Sequence, residues 1–333
     1  MESQIQLTDL PEDPMRHILE MCDFVTLQRL RKTCHTFRNF IEETKPVQRM
    51  NEFHVSGLPE SLSLKIVGNN NYDLYPNGGK VELGYKDLGD GNTKITWQRM
   101  DGNRERIIEN SDNLDIFSGD FGTIFGCTQP KWDKISLSCD VAVLEKFQGK
   151  LSSLKSPLKV HNLSISSIEN QNLVVEIIKS VCPDTLSHLH FLTPYENWNM
   201  SEMVKMEQWK KAKELSMPFV RASADIESFF HFESATICFE NVTMDDLCKL
   251  KELFLNTSSI TKRFEFYSFK SLNKNIVITT LGDPYVSGNP ASNYWYFERD
   301  DDYALCMNYT EDVKCFDFSI ITKADIPLDA VTF

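Results

Sequence analysis

The sequence predicts a mixed chain of α+β and α/β character: three short helices, a small antiparallel β meander, an open solenoid of strand–helix repeats, and closing antiparallel strands. Three observations predict it. Apolar residues recur at helical spacing in LPEDPMRHILEMCDFVTLQRLRKTCHTFRNFI, residues 10–41. The turn dipeptides of Asn77-Gly78-Gly79, Asp90-Gly91 and Asp101-Gly102 separate short alternating runs. Apolar-x-apolar triplets then return at intervals of 28, 26, 26, 22 and 27 residues. Segment boundaries follow at 1–50, 51–130, 131–270 and 271–333.

The first helix is expected to start at Asp13, a side chain able to accept from free backbone N–H groups, with Pro14 at the position that needs no amide donor. Met15, Ile18, Leu19 and Cys22 form its apolar stripe, Asp23 caps a second helix carrying Leu27 and Leu30, and Cys34, Phe37 and Ile41 mark a third. Pro46 closes the segment. Chains shorter than roughly 40 residues seldom bury their apolar faces alone, so a segment this apolar implies a partner surface.

In the meander, Leu83 and Tyr85, Ile95 and Trp97, and Ile107 or Ile108 are the expected inward residues. Residues 111–130 carry three glycines and no clean period, which reads as a loop with one short helix. The triplets then follow at Ile135–Leu137, Leu163–Ile165, Leu189–Phe191, Leu215–Met217, Ile237–Phe239 and Phe264–Phe266. Helical patterns lie between them, as at Leu173, Val174, Ile177, Ile178 and Val181. A helix starting at Thr243 has Asp246 at its third position for a capping box. A period near 26 with a strand and a helix per unit is leucine-rich-repeat-like, although the full consensus is absent. Leu137, Leu163, Leu189, Leu215, Ile237 and Phe264 should share the core face. Runs at 275–280, 293–298 and 313–321 alternate as strands do.

Composition bounds the function. A formal charge of −13, of which the first fifty residues carry −1, argues against a nucleic-acid ligand. Nine scattered cysteines without a CxxC pair suit reduced thiols, hence the cytoplasm, the nucleus or both. The start MESQIQLTDLPEDP lacks the pattern of a signal peptide, and no run of 18 apolar residues exists, so no membrane partner is expected.

Catalytic chemistry is not evident. Asp120-Phe121-Gly122 spells a kinase metal-binding triplet, but the Gly-rich loop and H-R-D loop that must accompany it are missing, as is a P-loop. Cys182, His188 and His190 lack further ligands at zinc spacing, so neither a metal nor another cofactor is expected. Met203, Met206 and Trp209 form a stripe read as core, with a peptide groove as the alternative.

Two resemblances sharpen the reading. The Leu10-Pro11 opening with an acidic residue behind it, Ile18, Leu27, Leu30 and Cys34 together resemble an F-box over about 40 residues. Thr33 and Phe37 stand where that family often has Val and Trp. The segments MEQWKKAKELSM (206–217) and HFESATICFENVTMDDLCKLKELFL (231–255) resemble the FTH domain, which follows an F-box in a large nematode family. The resemblance implies a non-catalytic subunit that docks on a Skp-type adaptor, and through it a cullin, and holds a target protein for ubiquitination. Leu10, Pro11, Ile18, Leu27, Leu30 and Cys34 are then the expected adaptor contacts. An interaction protein that sequesters or scaffolds partners without degradation is the alternative. Outward strand positions of the repeats, Asn162, His188, His190, Glu214, Arg263, Glu265 and Tyr267, are the expected target contacts.

Overall fold

The computed structural model describes residues 9–22, 24–68, 80–99, 102–126, 129–166, 170–193, 197–268, 270, 274–286, 291–299 and 301–333. The chain divides into two compact units, Met1–Leu186 and Ser187–Phe333.

Unit 1 begins with helices α1 (Glu12–Met21), α2 (Phe24–Thr33) and α3 (His35–Thr44). Helix α1 starts one residue before Asp13, directly after Pro11, so Asp13 and Pro14 lie inside its first turn instead of flanking it. The acidic Glu12 and Asp13 still complement the positive end of the helix dipole. Asp23 lies outside the described residues. Helix α3 ends at a left-handed Lys45 whose N–H reaches Ile41 O, ahead of Pro46.

Seven strands follow: β1 (Val47–Leu58), β2 (Ser61–Gly68), β3 (Val81–Asp87), β4 (Thr93–Arg99), β5 (Gly102–Ile108), β6 (Gln129–Cys139) and β7 (Lys159–Ser166). Their order is β7-β6-β1-β2-β3-β4-β5, parallel across β7, β6 and β1 and antiparallel beyond. The meander is there, but it continues a sheet whose long first strands, β1 and β2, the turn signals did not reveal. Gly89 and Gly91 take φ of +79° and +76° at the β3–β4 turn, the conformation that favours glycine. Asn77-Gly78-Gly79 and Asp101 fall outside the described residues. Leu83, Tyr85 and Ile95 are buried as expected, whereas Trp97 is half-buried and Ile107 is exposed on edge strand β5.

Helices α4 (Asn113–Gly126), α5 (Val141–Ser152) and α6 (Gln171–Lys179) cover this sheet. The stretch expected as a loop is thus a helix of 14 residues. Phe117, Phe121, Ile124 and Phe125 bury one face of α4, while Gly119 and Gly122 face open space, so packing outweighs the low helix propensity of glycine. Asp140 and Asn170 cap α5 and α6 through Ala142 N and Leu173 N. Phe53 on β1 centres the core, its ring 5.1 Å from Phe125, 5.3 Å from Trp132 and 5.9 Å from Phe121.

Unit 2 contains strands β8 (His188–Leu192), β9 (Asn197–Asn199), β10 (Glu214–Ser223), β11 (Ser234–Phe239), β12 (Arg263–Ser268), β13 (Tyr285–Val286), β14 (Ser292–Glu298), β15 (Tyr303–Thr310) and β16 (Cys315–Thr322). The order is β8-β10-β11-β12-β16-β15-β14-β13, with β9 beside β10. Pairing is parallel from β8 to β12 and antiparallel from β12 onward. Helices α7 (Glu207–Lys211), α8 (Met244–Asn256) and α9 (Lys274–Leu281) complete the unit, α8 packing on β15 and β16.

All six triplets lie in strands, and Leu137 and Leu163 in unit 1, with Leu189, Leu215, Ile237 and Phe264 in unit 2, are buried. The strand–helix alternation fails between β10 and β11, where only a 3₁₀ turn, Ile226–Phe229, stands in place of a helix. Each unit is an open mixed sheet with helices, so the fold is α+β; it does not show a leucine-rich-repeat solenoid. Residues 275–280 form α9 instead of a strand, because Val277 and Leu281, four apart, anchor a helical face. Met203 and Trp209 are core residues. Trp209 sits 5.6 Å from Phe229 and 5.1 Å from Phe232, donating its indole N–H to Ser228 O.

Candidate functional site

Two surfaces carry the expected contacts. The first is the helical segment. Met15, Leu19, Leu27, Phe37 and Ile41 form a small core of its own, against which Leu10, Cys22, Leu30 and Phe40 pack. Arg31 clamps α2 to α3, donating from Nη2 (2.6 Å) and Nε (3.0 Å) to Glu42 Oε1. Gln48 on β1 donates to Leu19 O at 3.3 Å, tying α1 to the sheet.

Helix α2 faces the rest of the unit across a cleft of about 210 Å³. Phe24, Gln28 and Lys32 line one side, Val81, Leu83 and Trp97 the other. Part of the apolar excess is therefore covered within this chain. Pro11 and Cys34 are exposed, and Leu10, Ile18 and Leu30 are half-buried. Leu27 has no accessible surface, which corrects its expected role: it holds the helices together from inside and cannot itself touch a docked adaptor. Met21, 70% exposed, is an apolar side chain on the same helix as Ile18, outside the stripe of Met15, Ile18, Leu19 and Cys22.

Asp120, from the kinase-like triplet, sits on α4 and accepts from Tyr85 Oη at 2.8 Å. Burial raises its carboxyl above the ordinary range, with the Tyr85 hydrogen bond and Lys32 opposing. Phe121 is core, and the triplet is an internal strut.

The second surface is the sheet face of unit 2 opposite its buried phenylalanines. Side chains alternate along a strand, so with Phe264 and Phe266 inside, Arg263, Glu265 and Tyr267 emerge on the other face. Register extends that face in rungs. One runs His188, Glu214, Ser234, Arg263, Ser319, Cys306 and Tyr296; the next runs His190, Ser216, Thr236, Glu265, Asp317, Asn308, Tyr294 and Tyr285.

Six of the seven expected target contacts thus share one sheet face. Asn162 belongs to unit 1, opposite Lys134 on β6, its Oδ1 buried without a hydrogen-bond partner among the described residues. His188 Nε2 stands 3.0 Å from Glu214 Oε1. Arg263 grips Asp317 with Nη2 at 2.8 Å and Nε at 3.3 Å. Tyr267 Oη donates to Glu265 Oε1 at 2.8 Å, and burial first, then this bond, pushes the phenol up. Cys315 Sγ is 3.8 Å from the same carboxylate, and its thiol is pushed up to about 12, chiefly by burial.

Asp317, Asn308 and the stacked pair Tyr294–Tyr296 belong to this face but were not singled out in the sequence. They come from the C-terminal strands, and only antiparallel pairing with β12 brings them alongside. Among the described residues, no group of three or more His, Cys, Asp or Glu is placed to hold a metal ion, and no helix is long and apolar enough to cross a membrane.

Comparison with known families finds two domains in the chain. The F-box domain family matches residues 7–48, and the FTH domain family matches residues 141–283. This chain is an F-box protein with an FTH domain C-terminal to the F-box. Such domains are typical of non-catalytic adaptors, F-boxes in general binding Skp-type proteins within cullin complexes. No curated protein and no solved structure gave a match.

Proposed function

We propose that the chain is a non-catalytic substrate-recognition subunit of a Skp–cullin–F-box ubiquitin ligase. The carrying observation is the helical segment matched by the F-box family: a closed core of five buried residues that leaves Pro11, Met21 and Cys34 exposed and Leu10, Ile18 and Leu30 half-buried. These six are the adaptor surface, with Leu27 beneath them. The open face of unit 2, around Arg263, Glu265 and Tyr267, holds the target. Ubiquitin transfer is then accelerated by proximity, the covalent chemistry residing in other subunits. The scattered cysteines favour a cytoplasmic or nuclear setting.

Co-purification of adaptor and cullin with the tagged full chain tests this. Ile18→Glu with Met21→Asp places charge on the proposed surface without opening the Leu27 core, and should abolish adaptor recovery while the thermal transition is kept. Tyr267→Ala with Tyr294→Ala should retain the adaptor and lose the target. Adaptor recovery unchanged by the first pair would refute the docking surface. Target recovery without increased target ubiquitination would favour a sequestering scaffold.

A further inference from the structure

The two rungs of unit 2 through Arg263 and Glu265 are rich in acceptors and tyrosines and carry a single arginine, Arg263, while Arg221 stands two strands away from Tyr267 on the next rung. Across its central rung, Glu265, Asp317 and Asn308 are immediate neighbours on β12, β16 and β15, and Tyr294 stands next on β14. Adjacent strands lie about 4.8 Å apart, so the three acceptors span about 10 Å. The flanking rungs add Tyr267 on one side and Tyr296 on the other, the latter stacked with Tyr294 at 6.4 Å and 6°.

The acceptors are unequally served. Asp317 receives the guanidinium of Arg263, which reaches in from the neighbouring rung and is the one cation on the rungs described above. Among the described residues, Glu265 has the Tyr267 hydroxyl and the Cys315 thiol as hydrogen-bond donors, while the Arg263 guanidinium that it feels electrostatically is bonded to Asp317. Asn308 Oδ1 is buried and has no hydrogen-bond partner. A buried acceptor without a donor is costly, and a carboxylate served by neutral donors gains from a charged one. Arg263 on Asp317 already shows, within this chain, that a guanidinium suits the surface.

We infer that this face recognises a basic segment of the target, seating an arginine or lysine side chain against Glu265, next to Asn308, with Tyr267 and Tyr294 around it. The inference deepens the proposed target-binding role of the same face and rests on it. The Glu265 carboxylate supplies the charge-assisted acceptor, and the tyrosine rings supply faces that attract a cation. A target acidic at this contact would meet Glu265 and Asp317, with the neighbouring Arg263 already engaged by Asp317, which gives the contact its selectivity.

The test pans the folded full chain against a display library of random dodecapeptides at low salt, then titrates synthesised winners by fluorescence anisotropy. Arginine or lysine should be enriched. Affinity should fall about tenfold in Glu265→Gln, which keeps an acceptor for Tyr267 but removes the charge, and rise several-fold in Asn308→Asp. It should also weaken as salt is raised. Both substitutions are near-isosteric, and circular dichroism checks that each variant is folded. Winners lacking basic residues, affinities blind to both substitutions, or no winners at all would overturn the inference. If non-basic winners are nonetheless lost in Tyr267→Ala/Tyr294→Ala, the face binds targets by other chemistry; if that variant also binds them fully, the target face itself is misplaced.

Discussion

Cys34 occupies the N-cap of α3, exposed, with its thiol held below the ordinary range first by the backbone N–H of Phe37. Cys306 and Cys315 are pushed up to about 12, burial being the main cause in each. Because the thiolate is the nucleophile, iodoacetamide at neutral pH should label Cys34 well before either of them, read by peptide mass spectrometry. Bound adaptor should protect it if the proposed docking surface is right. Lys262 is buried in unit 2, and its ammonium donates to Phe230 O at 2.9 Å and Phe232 O at 2.7 Å. Lys262→Ala leaves two carbonyls without that donor and should cost about 1–3 kcal/mol in urea unfolding. His231 donates from Nε2 to Trp209 O at 2.9 Å, and burial is the main cause of its lowered pKa. Its folded pKa lies below its unfolded value of about 6.5, so the unfolded chain binds more protons between the two. Stability is therefore complete above about pH 6.5 and declines as pH falls through the folded value. His231→Gln, which keeps a donor, should flatten that slope in melts taken from pH 7 to pH 5.

Elements report the same logic over longer stretches. Helix α8 begins with a reciprocal capping box: Asp246 N donates to Thr243 Oγ1 at 3.2 Å, and Thr243 N donates to Asp246 Oδ2 at 2.8 Å. Thr243→Ala should cost about 1 kcal/mol, measured as a lowered urea midpoint with unchanged slope. Gly282, just past α9, holds φ at +92°, and a Cβ there would sit 2.5 Å from the ring of Phe333. Gly282→Ala should therefore destabilise unit 2 through both strain and collision, and Phe333→Ala added to it should recover only the collision part. The capping box was legible because its partners are three residues apart. The demand on Gly282 was not, since Phe333 lies far along the chain. Helix α4 falls between these cases. The spacing of Phe117, Phe121 and Ile124 is helical, but glycines at 119, 122 and 126 obscured it until Phe53 and Phe147 supplied the packing.

Over the whole molecule, net charge works against a polyanionic ligand. At −13, the full chain should leave the mobility of duplex DNA unchanged at physiological salt, whereas a retarded band would reopen the nucleic-acid reading. Local order determined much by itself. The three N-terminal helices, the six repeat strands and their inward residues, the α8 cap and both family resemblances rest on spacings within a few turns or one strand, where side-chain period and caps act directly. Six of the seven expected target contacts reached one face for the same reason, since alternation along each strand is local. Tertiary structure decided the rest. It buried Leu27, inserted β1 beside β6, and paired β12 with β16 so that Asp317 and Asn308 joined Glu265. Strand neighbours are chosen by which faces can be buried together across long loops, and no period within one strand encodes the partner that completes its sheet.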